Sequence, residues 1–345
     1  MSLLEIKGLE TEFQTEQGVV KALRGINYMV DRGEVLGIVG ESGSGKSVGM
    51  LSLMGLLAPN GTVTAGEMIF DGEDISPIKY KTKKEKKEYE KKMNQIRGND
   101  ISMIFQDPMS YLNPIVTIEK QMTEGIRFHT KCSKKEAVQR AVELMKMVGI
   151  PAPESRLKQY PFEFSGGMRQ RIIIAIALAC NPKLIVADEP TTALDVTVQA
   201  QILDLLKDIT KESNAGVIII THDLGVVASL CDRISIMYGG NIMEEGTTDE
   251  IFYDPKHPYT KGLLNSIANS NVDHREPLKP IPGTPPDLLK LGNQCPFASR
   301  CSEAMEICTK ASPLVTEFGE KHKCKCWLHC KDRWHEVWKG EDAYE

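Results

Sequence analysis

The sequence lacks a long hydrophobic segment. Its longest uninterrupted apolar run covers residues 172–180, about half of the roughly 20 residues that a membrane-spanning helix needs. The opening stretch, MSLLEIKGLE, also lacks the basic and then apolar pattern of a signal peptide. We therefore expect a chain that neither spans a membrane nor is exported, so any membrane partner must be met through protein contacts.

An excess of positive charge is missing as well. The 345 residues carry a net charge of −5, which gives no electrostatic reason to expect general binding to nucleic acid. One basic stretch, residues 79–92, contains eight lysines against three glutamates. Because such runs usually face solvent, we interpret it as a solvated helix face or a loop.

Cysteine is scarce until the end of the chain. Six of the nine cysteines follow residue 290: Cys295, Cys301, Cys308, Cys324, Cys326 and Cys330. Disulfides are not expected in a chain without an export signal, so this clustering points first to a metal site.

The order of the predicted elements indicates an α/β protein. Loose alternation over residues 3–16 and 21–30 predicts an antiparallel β layer at the start. Three apolar strands follow at 35–40, 184–188 and 217–223, with helix-compatible segments after the first two. Fully apolar strands that alternate with helices are typical of a parallel sheet covered on both faces.

A mainly helical segment interrupts this core. Residues 120–149 and 167–179 have helical spacing, which predicts an inserted helical subdomain over about 107–180. Farther on, PLKPIPGTPP at residues 277–286 is rich in proline and predicts a stiff linker into the cysteine-rich tail.

The string GESGSGKS at residues 40–47 lies between a predicted strand and a predicted helix. It matches the phosphate-loop pattern, in which glycines let backbone N–H groups surround phosphates at a helix N-terminus. Lys46 would reach the β- and γ-phosphates, and Ser47 would ligate Mg²⁺. The residues expected to bind nucleotide here are Gly40, Ser42, Gly43, Ser44, Gly45, Lys46, Ser47 and Val48.

Two later strands end in polar residues. Asp188 and Glu189 follow the apolar strand at 184–188, and His222 follows the next strand. Since ligands bind at the carboxyl ends of parallel strands, Asp188 is a candidate Mg²⁺ ligand and Glu189 a candidate general base. His222 is a candidate to contact the γ-phosphate or orient water. The plainer alternatives are a helix cap for the acids and a structural role for the histidine.

The string FSGGMRQR at residues 164–171 resembles the signature motif of ATP-binding cassette (ABC) proteins. The other family motifs occur in order around it: a glutamine loop at 105–108, the segment 193–195 after the acidic strand, and a switch histidine in 221–223. With the phosphate loop, these motifs span residues 1 to about 250. The chain is identified by them as an ABC ATPase of the phosphate-loop NTPase fold, with a RecA-like core.

That resemblance implies two half-sites for ATP. Ser165 and Gly167, at a helix start, would touch the γ-phosphate held by the phosphate loop of a partner subunit, as in the family. Gln106 would sense the γ-phosphate and Mg²⁺ through a loop that contacts the membrane subunit. Asp195 would also belong to the nucleotide site. Phe13 either stacks on adenine or is a core residue of the first strand.

Several strings narrow the resemblance to the oligopeptide and dipeptide importer branch, and most closely to the dipeptide permease ATPases: MIFQDPMSYLNP, DEPTTALDVTVQAQIL, HPYTKGLL and PIPGTPPDL. The tail spacing also resembles the iron–sulfur motif of that branch. By that resemblance the ligands of a [4Fe–4S] cluster would be Cys295, Cys301, Cys308 and Cys326, with Cys324, Cys330 and His322 as substitutes. The alternatives are a zinc site, whose sequence motif usually begins with two cysteines closer together than these, and thiols that bind no metal.

Together these observations predict an ABC ATPase domain over 1–255 and a small cysteine-rich extension over 256–345. The implied cofactors are ATP and Mg²⁺. The implied partners are a homologous ATPase subunit in a heterodimer, two integral membrane permease subunits and an extracytoplasmic substrate-binding protein, with no nucleic acid. We expect the chain at the cytoplasmic face of a membrane, powering peptide import. The alternatives are an importer of nickel or sugar, and a soluble ABC-type ATPase acting on nucleic acid or ribosomes.

Overall fold

A computed structural model describes residues 2–105, 111–190, 196–266 and 280–337. The chain forms two compact units. The first consists of Met1–Leu4, Met29–Val35 and Phe70–Ile220, and the second of Glu5–Tyr28, Leu36–Ile69 and Thr221–Glu345.

The strands of the described residues are β1 Ser2–Thr15, β2 Gly18–Asp31, β3 Val35–Val39, β4 Gly61–Phe70, β5 Glu73–Asp74, β6 Ile101–Ile104, β7 Leu184–Asp188, β8 Gly216–Thr221, β9 Arg233–Tyr238, β10 Asn241–Thr247, β11 Val315–Glu317 and β12 Lys323–Lys325. The helices are α1 Lys46–Met54, α2 Lys83–Ile96, α3 Ile118–Thr130, α4 Lys134–Met147, α5 Pro153–Arg156, α6 Gly166–Ala177, α7 Val196–Ser213, α8 Leu224–Leu230, α9 Thr248–Tyr253, α10 Pro258–Asn265 and α11 Glu306–Lys310. Within these residues, no helix is both long and apolar enough to cross a bilayer.

The first unit contains the predicted parallel strands. β6 pairs with β7 and β7 with β8, all parallel, and Asp188 lies opposite Ile220. Every residue of β6, β7 and β8 is buried, as expected for a parallel sheet covered on both faces. The predicted strand at 184–188 is thereby confirmed with the same bounds.

Helices dominate the rest of this unit, as the helical spacing predicts. α4 begins at a capping box formed by Ser133 and Glu136, a device that satisfies the first N–H groups of a helix. The predicted helix at 167–179 is α6. The lysine-rich stretch forms α2, which buries Tyr89, Met93 and Ile96 and exposes most of its charged residues. The solvated helix face is therefore the correct interpretation of that stretch.

The second unit contains a mixed sheet in the order β11–β12–β10–β9–β3. β3 and β9 are parallel, whereas β9–β10, β10–β12 and β12–β11 are antiparallel. The short strands of the cysteine-rich tail thus continue this sheet instead of forming one of their own. Most of the β1–β2 hairpin also lies in this unit, and its two-residue connection requires antiparallel strands.

Candidate functional site

The phosphate loop lies between β3 and α1, as predicted. Gly43 and Gly45 have φ angles of 77° and 102°, in the left-handed region that favours glycine. A Cβ atom on Gly40 would lie 2.2 Å from the main-chain oxygen of Met237, so no other residue fits there. The glycines of the motif are therefore required by the geometry of the loop.

The amine of Lys46 donates hydrogen bonds to the main chain of this loop. Its Nζ donates to the main-chain oxygens of Gly40 at 2.7 Å and Glu41 at 3.0 Å, and the residue is 8% exposed. Among the residues that the structure describes, no side chain caps the N-terminus of α1, and the first turn of this helix holds no acid. The positive N-terminal end of α1, the amine of Lys46 and the N–H groups of the loop together form a site suited to polyphosphate. Ser42 and Gly43 are exposed, while Ser47 and Val48 are half-buried.

Glu189 has an unusual backbone conformation at the end of β7. Its φ of 46° lies in the left-handed region, which costs a non-glycine residue about 1–3 kcal/mol. The turn is held from two sides: the N–H of Glu189 donates to the oxygen of Ile220 at 2.8 Å, and Gln170 Nε2 donates to the oxygen of Pro190 at 2.8 Å. Such strain concentrates at functional sites. Asp188 beside it is buried at 8% exposure.

The signature residues begin α6. Ser165 is the N-cap and its Oγ accepts the N–H of Met168 at 3.4 Å. Ser165 and Gly166 are exposed and Gly167 is half-buried, so the start of this helix faces outward in the single chain. Gln170, in the same helix, is the residue that bonds to Pro190, and α6 is thereby linked to the turn that carries Glu189.

His222 follows β8 and is exposed. The next residue, Asp223, caps α8: its Oδ1 accepts from Gly225 N–H at 2.8 Å and Val226 N–H at 3.3 Å. The cap fixes the chain direction immediately after His222. Among the predicted residues, the phosphate loop and His222 belong to the second unit, whereas Asp188, Glu189 and Ser165 belong to the first.

Phe13 lies on β1 and is half-buried. Its ring packs so closely on Gly61 that a Cβ there would lie 2.7 Å from the ring. The side chain is thus not enclosed in the core. Gln106 and Asp195 lie outside the described residues.

The tail cysteines influence one another electrostatically. The pKa of Cys295 is raised to about 12, mainly by burial and in smaller part by the charges of Cys308, Cys326 and Cys301. Burial likewise raises the pKa of Cys301, again with contributions from Cys326 and Cys308. Within the described residues, however, no three His, Cys, Asp or Glu side chains lie close enough to hold one metal ion.

Cys324 contacts Cys326. A hydrogen bond between these two thiols lowers the pKa of Cys326 and raises that of Cys324. His322 Nε2 is committed elsewhere, since it lies 2.8 Å from Glu244 Oε1 in a buried pair. The structure therefore places Cys324 beside the predicted ligand Cys326, whereas the Nε2 atom of His322 is occupied by its pair with Glu244.

Comparison with known proteins decides the family. The ABC transporter family model matches residues 23–192, and a second, for the C-terminal region of oligopeptide/dipeptide transporters, matches 243–308. The chain is 52% identical over 327 residues to the oligopeptide transport ATP-binding protein OppD of Bacillus subtilis, covering 94% of this chain and 88% of OppD. The chain belongs to the ABC transporter family.

Other relatives agree. The ABC protein described here is 48% identical to the dipeptide transport ATP-binding protein DppD of Bacillus subtilis over 98% of both chains. A solved dimer of the ABC protein MJ0796, bound to ADP and phosphate, is 29% identical with a TM-score of 0.61 and covers 71% of this chain and 98% of MJ0796. The predicted phosphate-loop fold is confirmed, and the chain is an ATPase.

Proposed function

We propose that this ABC ATPase powers the import of dipeptides or oligopeptides from the cytoplasmic face of a membrane. The observation that carries the proposal is similarity over nearly the whole chain, including the C-terminal region, to proteins named for oligopeptide and dipeptide transport. In this proposal residues 1–255 form the ATPase domain and 256–345 the extension.

The proposed assembly needs a second ATPase subunit. The exposed position of Ser165 at the start of α6 supports this, because a helix N-terminus that faces outward can complete the triphosphate site of another subunit. A homologous ATPase would form the heterodimer, two membrane permease subunits would be moved by it, and a substrate-binding protein would deliver the peptide.

The proposed chemistry is attack of water on the γ-phosphorus. Glu189 takes the proton of the attacking water as the new P–O bond forms and the bond to ADP breaks. Lys46 stabilises charge on the β- and γ-phosphates, and His222 orients the γ-phosphate. Ser47, Asp188 and Gln106 would hold Mg²⁺, which when bound neutralises phosphate charge.

Reconstitution tests the importer function. The chain, its homologous partner and the two permease subunits, encoded together, are placed in proteoliposomes with the binding protein, and uptake of a radiolabelled dipeptide is measured. We expect uptake that needs ATP and is lost with Lys46→Ala. Stimulation of ATP hydrolysis by nickel or sugar alone would contradict the peptide assignment. Co-purification with nucleic acid, without membrane subunits, would contradict import altogether.

For the tail, we propose a [4Fe–4S] cluster held by Cys295, Cys301, Cys308 and Cys326. Burial of Cys295, Cys308 and Cys326, together with the bond from the N–H of Cys295 to the main-chain oxygen of Cys308 at 2.9 Å, supports a shared site. A single zinc ion holds thiolates about 2.3 Å from the metal and so needs a tight group, whereas a cube of four irons spreads its thiolates farther apart. The cluster would stabilise the fold of the extension.

Metal analysis checks the cluster. Protein purified without oxygen is expected to contain about four irons per chain, with a matching amount of acid-labile sulfide. Cys301→Ala should lose most of the iron, whereas Cys132→Ala, far from the motif in sequence, should keep it. One zinc per chain and no sulfide would contradict the cluster, as would equal iron in the two variants.

A further inference from the structure

A buried cation of the C-terminal extension contacts the phosphate loop. Arg300 Nη1 donates to Glu41 Oε2 at 2.7 Å and to the hydroxyl oxygen of Tyr238 at 3.0 Å. Glu41 is the second residue of the phosphate loop. The side chain of Arg300 is only 5% exposed and that of Glu41 is 26% exposed, so the pair is largely shielded from water and salt.

The other side of the guanidinium is anchored in the extension. Nε of Arg300 donates to the oxygen of Pro282 at 2.8 Å, and Nη2 donates to the oxygen of Ile281 at 3.3 Å. Arg300 therefore bridges the proline-rich segment and the phosphate loop with a planar fork of donors. Lysine has no such fork and cannot reproduce these bonds together.

A second residue of the extension holds the main chain of Glu41. The N–H of Glu41 donates to the hydroxyl oxygen of Tyr259 at 3.1 Å. Tyr259 is fully buried, and its ring lies 4.6 Å from that of Tyr238 and 5.2 Å from that of Phe297. Glu41 is thus held at its side chain by Arg300 and at its N–H by Tyr259.

Glu41 in turn positions the catalytic lysine. Its main-chain oxygen is one of the two acceptors of Lys46 Nζ, the other being that of Gly40. A continuous set of hydrogen bonds therefore runs from Arg300 through Glu41 to Lys46. Movement of Arg300 would change the loop conformation that presents Lys46 to the phosphates.

We propose that Arg300 is a positioning residue for ATP binding, which acts through Glu41 and makes the C-terminal extension part of the nucleotide site. The proposal rests on the assignment of residues 40–48 as the phosphate loop. The loop conformation contributes equally to the binding of ATP and of the transition state. Loss of Arg300 should therefore change the affinity for ATP and the KM more than the kcat.

The test compares Arg300→Met with a matched substitution, Arg24→Met. Arg24 lies on β2 and also bonds to the extension, but not to the phosphate loop residue Glu41. Its guanidinium donates to the main-chain oxygens of Leu288, Leu291 and Gly292. The Kd for Mg·ATP is measured on the full chain and KM on the assembled transporter. Arg300→Met should raise both by about 10-fold with a much smaller change in kcat, Arg300→Lys should recover part of the loss, and Arg24→Met should change neither.

A double substitution tests the route through Glu41. If both residues act through one contact, Glu41→Gln with Arg300→Met should be no worse than the poorer single variant. Fully additive losses would overturn the proposal. So would an Arg300→Met variant that binds ATP as Arg24→Met does.

Two further variants keep the result interpretable. If Arg300→Met melts below the assay temperature, Tyr259→Phe is used instead, because it removes the acceptor of the Glu41 N–H. The loss of this one hydrogen bond should raise the Kd for Mg·ATP by about 3-fold, and an unchanged Kd would overturn the proposal. Lys46→Ala separates the two assignments. If it binds ATP normally, the phosphate-loop assignment and this inference both fail; if it alone loses binding, only the inference fails.

Discussion

Glu189→Gln is expected to lower kcat for ATP hydrolysis by about 10²–10⁴-fold, the range that a positioned general base supplies, while ATP binding is retained. The amide has nearly the shape of the carboxylate but cannot accept the proton of the attacking water. The phosphate loop is unchanged by this substitution, so Kd for Mg·ATP should stay within about 2-fold of the wild-type value.

The backbone supports this assignment independently of the motif. Glu189 keeps a left-handed φ of 46°, a conformation that the bonds to Ile220 and Pro190 enforce at both sides of the turn. Glutamine tolerates that backbone no better and no worse than glutamate, so a loss of turnover would reflect the carboxylate and not a relaxed turn.

The matched control is Glu212→Gln, the same chemical change at an exposed position of α7. It should hydrolyse ATP at the wild-type rate. Phosphate release is followed under saturating ATP, and binding is followed by titration on the same preparations. Normal turnover by Glu189→Gln would remove Glu189 from the role of base and leave another group to activate water.

Much of the fold follows from local pattern. The strand at 184–188 is a short apolar run in which every residue is buried, and such runs identify parallel strands directly. α4 combines a capping box with buried Ala137, Ala141, Leu144 and Met145 at helical spacing, so its start and its core face are both encoded locally. The phosphate loop is equally local, since its glycines and Lys46 are consecutive.

The remainder depends on contacts that are distant in sequence. β9 and β10 were not among the predicted strands, and the pairing of β10 with β12 joins segments about 80 residues apart. The bond from Arg300 to Glu41 spans 259 positions, and nothing in CPFASRC indicates that its arginine faces the phosphate loop. The strained φ of Glu189 is also invisible in sequence, because it results from bonds made by Ile220 and Gln170.

Ser165→Asp is expected to abolish ATP hydrolysis in the assembled transporter at the site that Ser165 completes, and to leave the affinity of the isolated chain for ATP unchanged. Aspartate is as good an N-cap as serine and is favoured at a helix N-terminus, so α6 should remain stable. Its charge would nevertheless repel the γ-phosphate of a nucleotide bound by the partner. The loss of one hydrogen-bond donor to the transition state is by itself enough to lower kcat by about 10²–10³-fold.

The chain offers a closely matched control in Ser133, which is the exposed N-cap of α4 and makes the same kind of cap. Ser133→Asp introduces the same charge at a helix start that faces no nucleotide in the proposed assembly, so it should hydrolyse ATP normally. Hydrolysis is measured on the complex and nucleotide affinity on the single chain. If the isolated chain hydrolysed ATP at the full rate and Ser165→Asp left the complex active, each chain would hold a complete site, and the requirement for a second ATPase subunit would be wrong.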